Sequence, residues 1–158
     1  MIKLIAVGKL KEQYLVNMVE DYKKRINKYH KLEIVEINDD GIEKEGIKIL
    51  EKLSKKSFKV ALTIKGQKLS SPEFAKFIND HLMENANIDF IIGGSNGISK
   101  EVLDNIDYEL SFSDLTFPHG LFRAILLEQI YRGFKIINKS FTSNSISLLS
   151  SFRNTFFS

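Results

Sequence analysis

Strand-patterned and helix-patterned segments alternate along most of the chain, which predicts an α/β fold with a mostly parallel sheet covered by helices on both faces. Three observations carry this prediction. Short apolar runs such as residues 2–7 and 88–92 read as strands buried on both sides, and the segments between them place apolar residues at helical spacing. A glycine cluster, Gly93-Gly94-Ser95-Asn96-Gly97, directly follows one buried run, and the carboxyl ends of strands are where open parallel sheets hold ligands.

The elements follow in order. Residues 2–7 predict a strand, and residues 12–29 a helix whose apolar face runs through Tyr14, Leu15, Met18, Val19, Tyr22 and Ile26. Leu32, Ile34, Val35 and Ile37 predict a second strand, Asn38-Asp39-Asp40-Gly41 a turn, and residues 42–53 a helix. Residues 58–64 read as strand. Ser71-Pro72-Glu73 then opens a helix to about residue 83, with proline suited to its first turn. After the strand at 88–92 come a short helix over 99–105, a strand over 108–113, and a long helix from Pro118 to about residue 137. Residues 140–158 are serine-rich, carry Phe141, Phe152, Phe156 and Phe157, and show no clear element.

Composition narrows the chemistry. A chain of 158 residues with 43% hydrophobic side chains has enough apolar material for one compact domain. There are no cysteines, which excludes disulfides, thiolate zinc sites, iron–sulfur clusters and a cysteine nucleophile, and no metal is expected. The apolar stretch at the start is too short for an export signal, and no run of about 18 apolar residues exists, so a soluble, cytoplasmic protein without a membrane partner is expected. A net charge of +3 permits a polyanionic partner without requiring one. Lys23, Lys24, Arg25, Lys28 and Lys31 crowd one segment, a run that more often marks a solvated helix end than a binding patch.

Two segments invite a ligand. The glycine cluster matches neither the dinucleotide fingerprint nor the triphosphate-binding loop, but its glycines let main-chain groups approach a ligand closely. The second segment, Leu110-Ser111-Phe112-Ser113-Asp114-Leu115-Thr116-Phe117-Pro118-His119-Gly120, offers hydroxyls, amides and two aromatic rings, and is also readable as a capped connection. The long helix after it is apolar on nearly every side and so needs cover on several faces, for which a second subunit in a two-fold dimer is a plausible source. On this helix His119 and Arg123 are one turn apart, and Glu128 with Arg132 reads as an ion pair. His30 and His81 are expected at the surface.

Taken jointly, five blocks resemble the RlmH type of SPOUT methyltransferase. They are Leu4-Ile5-Ala6-Val7-Gly8-Lys9-Leu10-Lys11, Leu62-Thr63-Ile64-Lys65-Gly66-Gln67-Lys68-Leu69-Ser70-Ser71, residues 90–97, residues 110–119, and Glu128-Gln129-Ile130-Tyr131-Arg132. The resemblance covers residues 1–138 as a single SPOUT methyltransferase domain and leaves 139–158 as an atypical tail. It implies a SPOUT-type α/β knot with a carboxyl-terminal trefoil knot, a homodimer, and S-adenosyl-L-methionine held by the knot loops. The implied cofactor residues are Leu62, Gly93, Phe112, Ser113, Asp114, Leu115, Thr116 and Phe117. The implied substrate is the N3 atom of a pseudouridine in ribosomal RNA of the assembled large subunit or intact ribosome.

Methyl transfer to an imide nitrogen requires that nitrogen to lose its proton. His119 is the local candidate base, and Arg123 a candidate to steady a phosphate or the developing charge on the imide oxygens. A helix-start histidine bonding backbone is the alternative for His119. The family's usual tail, a glycine followed by a Tyr-His pair and a basic residue, is replaced here by Asn138-Lys139-Ser140-Phe141-Thr142-Ser143 and onward, and Gly120 stands where glutamine is usual. Three readings follow: an active ribosomal RNA methyltransferase, a cofactor-binding but catalytically impaired RNA-binding relative, and a structural dimeric α/β module without cofactor.

Overall fold

The computed structural model describes the backbone of residues 1–150 and the side chains of residues 1–139. Its elements are β1 (Ile2–Val7), α1 (Gln13–Asn27), β2 (Leu32–Ile37), α2 (Ile42–Lys52), β3 (Ser57–Lys68), α3 (Ser71–Glu84), β4 (Asn87–Ile92), α4 (Lys100–Leu103), β5 (Tyr108–Ser111) and α5 (His119–Ser150). The strands form one sheet in the order β2-β1-β4-β3-β5, with every neighbouring pair parallel.

Successive side chains of a strand point to opposite faces, and β1 divides its residues accordingly. Ile2, Leu4 and Ala6 join Phe90, Val60 and Leu110 in the larger core, beneath Val19 and Ile26 of α1, Phe74 and Ile78 of α3, and Leu126 and Ile130 of α5. Ile5 and Val7 enter a second core with Ile37 and Ile91, covered by Ile49 of α2 and Val102 of α4. Helices thus cover both faces, as the largely apolar runs of β1 and β4, broken only by Lys3, Asn87 and Asp89, require.

Polar anchors fix the layers. Asp89 on β4 is fully buried, and it accepts hydrogen bonds from the Ser54 N–H at 2.6 Å, the Ser54 hydroxyl at 3.0 Å and the Ser57 hydroxyl at 2.9 Å. A buried carboxylate is tolerable when its oxygens are supplied with donors in this way. The start of α3 is closed by a reciprocal pair: Ser70 Oγ accepts from the Glu73 N–H, and the Glu73 carboxylate accepts from the Ser70 N–H.

Three departures from the sequence pattern matter. First, β3 runs beyond residue 64 to Lys68, pairing with β5 up to Leu62, bulging outward over residues 63–66, and rejoining β5 at Gln67. Gly66 allows the return, because a Cβ there would lie 2.6 Å from the carbonyl of Glu109 and 2.7 Å from that of Leu110. Second, α5 continues as helix to Ser150, where no element was expected. No glycine or proline follows Gly133 to stop it, and adding a turn to an existing helix is far easier than nucleating one. The other features of the expected atypical tail over 139–158, its side chains above all, lie outside the described residues apart from Lys139. Third, His30 and His81 are half-buried rather than at the surface: His30 lies beside Phe134, and His81 stacks on Phe58 with centroids 3.6 Å apart. Part of the cover that α5 needs comes from within the chain, by packing against α1 and α3.

Candidate functional site

Because all strands are parallel, the carboxyl ends of β3, β4 and β5 open on one edge of the sheet, and the segments leaving them meet there. After β4 the chain turns tightly. The Gly97 N–H donates to the Gly94 carbonyl at 3.0 Å, and Gly97 has φ +83°, in the left-handed region that favours glycine. Gly93 packs against this turn, with the Gly97 carbonyl oxygen and Ile98 Cγ1 each 2.7 Å from where a Cβ would stand.

The segment after β5 is shaped by short polar bonds and by rings. Ser111 Oγ donates to the Ser113 carbonyl at 3.1 Å, and Ser113 Oγ accepts from the Leu115 N–H at 3.0 Å. Phe112 sits edge-on to Phe74 and Phe122, and Phe117 stacks on Phe122 with centroids 5.9 Å apart. The Phe122 N–H donates to the Pro118 carbonyl at 2.8 Å, closing the first turn of α5.

Between these segments lies a cavity of 410 Å³, within the range of small-molecule sites. Leu62, Gly93, Phe112, Ser113, Leu115, Thr116, Phe117 and His119 all line it. Two expected residues do not. Asp114 has an 80% exposed side chain and pairs outward with Lys68 at 2.6 Å, so it is no part of the cavity wall. Arg123 is 2% exposed; its Nη1 donates to Glu36 Oε2 at 2.5 Å and its Nη2 to the Gly8 carbonyl at 3.1 Å. The expectation that Arg123 meets a phosphate or imide oxygen is therefore corrected, since its guanidinium is buried against a carboxylate brought in by β2. Glu128 and Arg132 do form the expected ion pair, at 2.7 Å.

The bulge of β3 brings in residues that sequence reasoning missed. Thr63, Ile64 and Lys65 form one wall, and Glu109 of β5 stands on the same cavity. Gly66, standing where the apolar pattern of the strand gives way after Ile64, was the available signal, since an isolated glycine in a strand points to a bulge or a close backbone approach.

Behind the glycine turn lies Glu45 of α2, 4% exposed. Its Oε2 accepts from the Gly41 N–H at 2.7 Å, and its Oε1 is 3.0 Å from where a Cβ on Gly94 would stand. Burial raises the Glu45 pKa above the ordinary carboxylate value, the Gly41 N–H opposes the rise, and Asp39 and Asp40 add to it. A carboxyl whose pKa is higher in the folded than in the unfolded state binds its proton more tightly when folded. Its stabilising contribution is complete below the unfolded pKa and is lost as pH rises through the folded one. Glu45→Gln is therefore expected to melt higher than the wild type at neutral pH, with the difference shrinking on acidification to about pH 4. Thermal melts across a pH series check this, and a pH-independent difference would contradict it.

Comparison with known proteins adds the following. The family model described as "Predicted SPOUT methyltransferase" matches residues 1–141. A Clostridium kluyveri protein named ribosomal RNA large subunit methyltransferase H is 49% identical over 150 residues, covering 86% of this chain and 94% of the relative. A protein of the same name from Carboxydothermus hydrogenoformans is 46% identical with the same coverage. Among solved structures, a probable methylase family protein from Haemophilus influenzae shares the fold at 8% identity, with a TM-score of 0.54 over 99% of this chain and 72% of that one.

Proposed function

Because the chain belongs to the SPOUT methyltransferase family, we propose that it methylates ribosomal RNA of the large subunit with S-adenosyl-L-methionine as donor, at N3 of a pseudouridine in the assembled particle. The observation that carries this reading is the convergence of the turn at Gly93 and the segment 112–117 on one cavity at the sheet edge. Bound adenosylmethionine would supply an electrophilic methyl group on a sulfonium.

The residues present suit that molecule. Leu62, Ile92, Ile98, Phe112 and Phe117 give apolar walls for an adenine ring, and main-chain groups about Gly93 give polar contacts. Lys65 and Glu109, of opposite charge on the same cavity, complement the carboxylate and ammonium of an amino acid end. His119, exposed at the first turn of α5 and lining the cavity, is assigned as the base that takes the N3 proton. Holding the nitrogen in line with the methyl carbon supplies much of the remaining acceleration. The exposed apolar side chains Tyr14, Met18 and Leu121, on the neighbouring helices α1 and α5, support a homodimer through that face. The trefoil threading belongs to the same reading and is supported by the return of residues 63–66 onto β5.

A second reading is favoured by the missing Tyr-His pair and by a family match that ends at residue 141. In it, the chain binds adenosylmethionine but turns over weakly. Two measurements separate the possibilities. Calorimetric titration with adenosylmethionine is expected to show binding, and none at millimolar ligand would overturn both readings. Mass spectrometry of ribosomal RNA from a strain lacking the gene, with and without its restoration, is expected to show the methyl mark return; a mark that stays absent despite cofactor binding supports the impaired form.

A further inference from the structure

Arg123 and Glu36 are separated by 87 positions in sequence, yet they meet at the loop that joins β1 to α1. Glu36 Oε2 accepts from Arg123 Nη1 at 2.5 Å and from the Leu10 N–H at 3.4 Å, while the Gly8 carbonyl accepts from Arg123 Nη2 at 3.1 Å. Gly8 itself has φ +96°, and its N–H donates to the Ile37 carbonyl at 2.7 Å. One guanidinium thus holds the loop directly at Gly8 and, through Glu36, at Leu10, and its planar fork presents two donors in fixed geometry for the two bonds. Nε of Arg123 is buried without a hydrogen-bond partner among the described residues, an unfavourable arrangement for a residue serving stability alone.

The loop so fixed lies beside the cavity. Leu10 Cδ2 is 3.0 Å from where a Cβ on Gly120 would stand, next to His119 in the first turn of α5. Lys9 and Lys11 flank Leu10; both are exposed, and neither has an ion pair among the described residues, whereas Glu36, the acidic neighbour from β2, is already engaged by Arg123. Glu12 is the one acidic residue following them in the loop.

We infer that the β1–α1 loop is a phosphate-contacting arm of the substrate site, with Lys9 and Lys11 gripping RNA backbone beside the target nucleotide and Arg123 acting through Glu36 as the positioning residue of the arm. The inference rests on the reading of the chain as a ribosomal RNA methyltransferase. It returns Arg123 to the site in a different role: the buried guanidinium shapes the loop, and the two lysines supply the contact. Phosphate contacts set register without reading sequence, and each releases condensed cations, so their signature is salt dependence.

The test uses the full chain and purified bacterial large ribosomal subunits lacking the modification, with binding followed by co-sedimentation across a salt series. K9E/K11E is expected to bind subunits about tenfold or more weakly, with the slope of log affinity against log salt reduced by about 1.4 to 1.8, as the loss of two phosphate contacts requires. Affinity for adenosylmethionine, measured by calorimetry, is expected to stay at the wild-type value. Arg123→Lys is expected to lower subunit affinity and salt slope in the same direction at temperatures well below its melting point, and Glu36→Gln carries the same test should Arg123→Lys fail to fold. A K9E/K11E protein matching wild type in affinity and slope would overturn the arm while leaving the functional reading intact. A wild-type protein that binds neither subunits nor adenosylmethionine would overturn both. Lysine reversal that acts while Arg123→Lys and Glu36→Gln leave affinity and slope untouched would remove the positioning role.

Discussion

Gly93→Ala is expected to weaken adenosylmethionine binding at least about a hundredfold, a loss of roughly 2.7 kcal/mol. A methyl group there would lie 2.7 Å from the Gly97 carbonyl oxygen and 2.8 Å from its carbon, with Ile98 Cγ1 equally close. Ile98 has a side chain that can rotate, but the Gly97 contacts are main chain, so the turn itself must open. Gly94 and Gly97 are bridged across that turn, and opening it moves the cavity wall that both residues form. Calorimetry measures the loss, and circular dichroism establishes that the rest of the chain remains folded. Affinity within threefold of wild type would show that the turn does not hold the donor.

The second large effect concerns stability. Gly66→Ala is expected to cost about 3 kcal/mol, because the added methyl meets the main chain of Glu109 and Leu110 at 2.6 to 2.7 Å, where no rotamer change gives relief. For a chain of this size that is a fall of roughly 6 to 12 °C in melting temperature. Cofactor affinity should fall with it, since Thr63, Ile64 and Lys65 reach the cavity only because the bulge closes on β5. A melting temperature within two degrees of wild type would refute the close approach at Gly66.

Much of this was legible in the sequence. The strands β1, β2 and β4 announce themselves through apolar runs bounded by polar turns, and Ser71-Pro72-Glu73 announces the start of α3. The segments 93–97 and 110–120 could be singled out because a glycine cluster and an aromatic, hydroxyl-bearing run follow strands there, whereas Gly93 and Phe112 as individual cofactor residues were implied by the family resemblance. What escaped depended on distant partners. Arg123 shares a helix turn with His119, but its burial is set by Glu36 on another strand, and helical spacing cannot reveal that. Asp114 sits amid cavity-lining neighbours, yet Lys68 draws its side chain outward. The register jump of β3 from Leu62 to Gln67 is written in its pairing with β5, not in local propensity. Helix α5 passes residue 137 for want of a stop signal rather than by any positive one.

The arrangement of the sheet bears on how the molecule comes into being during translation. None of its strand pairs can close as a hairpin, and β1 takes its two neighbours from residues 32–37 and 87–92, so the first strand to emerge waits longest for its second partner. The cavity has walls from residues 62–65, 92–98 and 109–122, and is complete only when the start of the last helix has left the exit tunnel. A small molecule can therefore act on this chain only as a late lock, deepening a basin already reached. Before that moment the nascent polypeptide depends on its own slow, long-range pairings, with β1 and β4 exposed for as long as they remain unpaired.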